Sequence, residues 1–94
     1  MDKITLLEKI DRIVDEMSGS LPDAESSHGW TEESRVALLK SFRDLRSRLA
    51  NDELLKADIT LNFPRGMDMW GIFGGNWFSQ GAEITRDLHQ YMEG

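Results

Sequence analysis

Few side chains in this sequence are equipped for chemistry, and their spacing limits what they could do. The two histidines, His28 and His89, stand far apart. A zinc site needs three or four ligands at recognisable spacing, and neither histidine opens such a pattern. Glu93 follows His89 by one helical turn, which reads as an i, i+4 surface pair. No metal is expected. Ser26, Ser27 and His28 set hydroxyls beside a base, yet neighbours on a loop seldom point at one another, and no glycine-flanked serine elbow surrounds them. Gly66, Gly71, Gly74 and Gly75 match neither the G-x-G-x-x-G nor the P-loop phosphate cradle. The chain has no cysteine, hence no thiolate nucleophile, disulfide or thiolate metal ligand. These absences lead to the expectation of a non-enzymatic protein with no catalytic residues and no cofactor.

Binding chemistry is better represented. Between Phe63 and Phe78 the chain concentrates Phe63, Trp70, Phe73, Trp77 and Phe78, five of its eight aromatic residues. Met67, Met69 and Ile72 add adaptable apolar volume, and only Arg65 and Asp68 interrupt the stretch with charge. Two outcomes are open: these rings complete the core, or part of them stays outside as a docking surface, where Trp and Met are enriched. The residues expected to bind a partner are Met69, Trp70, Phe73, Trp77 and Phe78. Insertion into a membrane surface is not expected, because Arg65 is the one nearby cation and Asp68 opposes it. A second candidate is the row Arg35, Arg43 and Arg46, whose guanidinium groups can grip carboxylates or phosphates. The plainer reading of that row is solvated or i, i+4 paired charge, as Asp44 with Arg48 would be.

These residues must be positioned by the elements around them. Leu6, Leu7, Ile10, Ile13, Val14 and Met17 recur at intervals of three and four, predicting a helix over residues 3–18 capped by Asp2 and closed at Ser18 and Gly19 by a left-handed turn. Residues 19–29 read as a loop with only Leu21 and Ala24 to bury. Thr31 caps a second helix from about 32 to 50, whose stripe is Leu38, Phe42, Leu45 and Leu49. Asn51 and Asp52 break or restart it. Residues 58–63 alternate polar and apolar and predict a strand; Pro64 to Gly66 form a turn, and 67–73 return as a second strand. Asn76 or Ser79 caps a last helix with Trp77, Gly81, Ile84, Leu88 and Tyr91 or Met92 on its stripe.

Ninety-four residues make one small domain. The expected fold is mainly α, of the α+β class: an antiparallel helix pair, a short β-hairpin and a C-terminal helix across residues 1–94. The net charge of −6 disfavours nucleic acid and anionic lipid. The first helix is acidic and the second basic, so the two should attract as a pair. With no secretory signal at the start and no cysteine, a cytoplasmic location is expected. The function these features predict is binding and regulation or inhibition of a partner protein through the aromatic and methionine surface, with homo-oligomer formation through the same patch. The alternative is a homo-oligomeric small-molecule-binding module or minor enzyme, its pocket lying between subunits.

Overall fold

The first apolar stripe folds as α1, Lys3–Met17, burying Leu6, Ile10, Ile13 and Met17. The computed structural model describes residues 2–56 and 69–93. The Asp2 carboxylate accepts the Thr5 N–H at 2.8 Å, and that bond lowers its pKa from the ordinary aspartate value. At the other end the expected left-handed turn is absent: Ser18 is right-handed and Gly19 has no positive φ. The exposed carbonyls find donors elsewhere. Ser18 donates its N–H and its hydroxyl to Val14 O, and Arg35 donates to Met17 O at 2.6 Å.

The segment expected to be loop contains one short helix, α2, Asp23–Ser26, entered through Pro22 with Asp23 and Glu25 in its first turn. The third helix, α3, spans Glu32–Ala50 as its stripe predicts. Thr31 and Ser34 form a reciprocal capping box. At its end Asp52 takes φ 57, with Asp52 N–H bound to Leu49 O and Glu53 N–H bound to Arg48 O. That bond pair is a Schellman stop, so Asn51 and Asp52 end the helix rather than restart it. The last helix, α4, covers Asn76–Glu93 and buries Trp77, Gly81, Ile84, Asp87 and Leu88.

α1 packs on both α3 and α4. Its pairing with α3 is antiparallel, as opposite charge bias suggested: Arg46 meets Asp11 at 2.6 Å in mid-helix, and Lys3 meets Asp52 at 2.7 Å at one end. The pairing with α4 is also antiparallel, with Lys9 on Asp87 at 2.7 Å and Gln80 on Glu16 at 3.0 Å. Asp87 is buried, and its hydrogen bond raises the Lys9 pKa from the ordinary lysine value. One core joins all three long helices, from Leu6 through Phe42 to Leu88.

The β-hairpin is overturned. Its first strand, 58–63, and its turn lie outside the described residues. In the expected second strand, Met69 and Trp70 are helical, Gly71 turns at φ 70, and residues 72–74 are irregular. Among the described residues there is no strand, and the architecture is a helical, bundle-like arrangement. The cause is visible in the sequence of that segment: apolar residues on both faces of MDMWGIF do not alternate, so nothing commits it to a half-buried strand. Ile72 is instead drawn singly into the helical core.

Candidate functional site

Residues 71–77 lie against the turn that links α2 to α3. Phe73 N–H donates to His28 O at 3.0 Å, and Trp30 Nε1–H donates to Gly74 O at 3.2 Å. Gly29 adopts φ +94, and a Cβ there would stand 2.6 Å from Gly71 O, so this close approach of two backbones requires glycine. The Glu25 carboxylate, 3% exposed, accepts Asn76 N–H at 3.0 Å and Trp77 N–H at 3.3 Å. The entry into α4 is thus fixed from three directions.

On this frame the five expected docking residues separate. Met69 is 73% exposed and Phe73 is 69% exposed. Trp70 and Phe78 are half-buried and pack on the core. Trp77 is 2% exposed and meets Trp30 edge to face, ring centroids 5.1 Å apart at 85°. Its place on the docking surface is therefore corrected: α4 begins at Asn76, which turns Trp77 to the same side as Ile84 and Leu88 and into the core. The His28 ring leans on Phe73 at 5.7 Å and a tilt of 54°. Trp70 borders a shallow depression of about 520 Å³ whose other walls are Glu32, Glu33, Val36 and Ala37.

The arginine row is engaged within the molecule. Arg46 holds Asp11; Arg43 donates to Ser18 Oγ at 3.2 Å; Arg35 holds Met17 O and, at 2.8 Å, Glu32. These bonds raise the pKa values of Arg35 and Arg46, and the Arg35 bond lowers that of Glu32. The row that could have gripped a foreign carboxylate instead fastens α3 along α1.

The adjacent serine and histidine do not form a nucleophile and base. His28 Nδ1 lies 2.8 Å from Ala24 O, an acceptor only, so that nitrogen holds the proton and cannot take one from Ser27 Oγ at 3.3 Å. Ser27 donates to Ala24 O as well. Among the described residues no group of three or more acidic, histidine or cysteine side chains converges as metal ligands, and no helix is long and apolar enough to cross a membrane.

Sequence reasoning missed Val36, 55% exposed on the outer side of α3. Its signal is plain in retrospect, an apolar residue off the Leu38, Phe42, Leu45, Leu49 stripe. It also missed Trp30 and Glu25, both buried. Taken together, the exposed side chains of Met69 and Phe73 stand on a helical scaffold, with the Phe73 backbone held to His28. Scans against family models, curated proteins and solved structures gave no match to this chain.

Proposed function

We propose that this chain is a small, non-enzymatic protein that binds and regulates or inhibits another protein through Phe73, Met69 and the outer edge of Trp70. One observation supports this reading above the others: Phe73 and Met69 are large, apolar and mostly solvent-exposed, while the Phe73 backbone is pinned to His28. An exposed ring on a fixed backbone loses little conformational freedom on docking, which is what favours aromatic anchors at interfaces. The partner is expected to be basic overall, steered by the net charge of −6.

Phe73→Ser tests this directly. Because the ring is exposed, the melting temperature should move by no more than about 3 °C, consistent with roughly 0.5 kcal/mol for a surface change. Capture of a partner from extract of the source cells, followed with a photo-crosslinker at Met69, should be lost in the variant. Equal capture by both proteins would remove this surface as the site.

A further inference from the structure

The outer face of α3 is self-complementary. Glu33, Val36, Ala37 and Lys40 follow at i, i+3, i+4 and i+7 and share one side of the helix, opposite the buried Leu38, Phe42, Leu45 and Leu49. Glu33 and Lys40 are both exposed, two turns apart, about 10.5 Å along the axis. Among the described residues neither has an ion-pair partner, whereas Glu32 is held by Arg35 and Asp44 by Arg48. Between the two unpaired charges stand one exposed valine and one small alanine beside the depression edged by Trp70.

We propose that this face binds a second copy of the chain, the two α3 helices crossing antiparallel about a two-fold axis that passes between Val36 and Ala37. The pairing follows from spacing. When two identical helices run antiparallel about that point, Val36 of each copy meets Ala37 of the other, and Glu33 of each meets Lys40 of the other. One contact thus makes two equivalent ion pairs and seats a valine in each depression, as an isologous interface must. A parallel pairing would set glutamate against glutamate and lysine against lysine, so the charges select the antiparallel one. Ala37 permits the close interaxial approach of about 8–10 Å at which helices pack. About two helical turns bury less than a standard interface, so the dimer should be weak. This inference shares only the edge of Trp70 with the proposed partner surface and does not need Phe73 or Met69, so each can fail without the other.

Sedimentation equilibrium of the full chain, from about 10 μM to about 1 mM at low ionic strength where exposed pairs are least screened, provides the test. The unaltered chain should pass from monomer to dimer over that range. Glu33→Lys and Lys40→Glu each place like charges at both ends of the contact, and each variant alone should associate at least tenfold more weakly. Mixed one to one, the two variants should form a heterodimer, because every lysine of one then faces a glutamate of the other. The double exchange Glu33→Lys with Lys40→Glu should restore self-association, and Phe73→Ser should leave it unchanged. Circular dichroism verifies that each variant is folded, as expected for exposed positions. A monomer at every concentration, single variants that still pair, or a mixture that stays monomeric would each overturn the proposal.

Discussion

Trp77→Ala should cost about 3–5 kcal/mol of folding free energy, the range for deleting a buried aromatic ring. The indole is almost wholly enclosed, and it contributes half of the edge-to-face contact with Trp30 that ties the start of α4 to the start of α3. Removing it leaves a cavity at the point where the last helix meets the body, and flanking hydrogen bonds to Glu25 and Gly74 hinder collapse into it. A domain of this size is stable by only about 5–15 kcal/mol, so the variant should melt at least about 15 °C lower and unfold at much lower urea. Phe73→Ser, four residues earlier, should do almost nothing to the same curve. Thermal and urea unfolding followed by far-ultraviolet circular dichroism separate the two; a Trp77→Ala protein melting within about 3 °C of the parent would place the ring outside the core.

That contrast also marks what the sequence made legible. The three long helices were readable because each repeats its apolar residues at three and four; α1 and α3 also open on recognisable caps, Asp2 and Thr31, whereas the cap expected at Asn76 or Ser79 is not there, since α4 begins at Asn76 and Glu25 meets its first N–H groups. Trp77 was readable too, since it precedes Ile84 and Leu88 by seven and eleven residues, but the density of rings around it suggested a surface instead. The arginine row was legible as a reason for α1 and α3 to attract, while its partners required the register that sets Arg46 opposite Asp11. α2 was not legible, because four residues are too few to show a period. The strand expected at 67–73 failed for a different reason. Its alternation was weak, and a helical core with a vacancy for Ile72 outweighed it. Trp30 gave no sign at all, standing alone between a glycine and a cap with no apolar neighbour in phase.

Glu25→Ala should cost about 2–3 kcal/mol, a large effect for a residue that sequence alone would place in solvent. A buried carboxylate is costly unless its charge is met, and among the described residues no cation pairs with this one. The N-terminus of α4 meets it instead: two backbone N–H groups that have no partner inside their own helix converge on the carboxylate oxygens, where the positive end of the helix dipole also favours an anion. The cap comes from a residue fifty-one positions earlier in the chain, so it closes a long-range link as well as a helix end. Gly75, at φ +100, keeps the space open, since a Cβ there would collide with Glu25 Oε2. Truncation to alanine strands one buried donor, Trp77 N–H, at about 1–3 kcal/mol, and one part-buried donor, Asn76 N–H, whose loss water recovers in part. Glu25→Gln keeps the shape and one acceptor oxygen but loses the charge, and should give roughly half the loss. Urea unfolding gives the magnitudes, and amide exchange gives the location: Asn76 and Trp77 should exchange faster in both variants, while amides in the middle of α1 speed up by no more than the global loss of stability dictates. Uniform acceleration without a local excess at those two amides would mean that Glu25 acts through the core and not as the cap of α4.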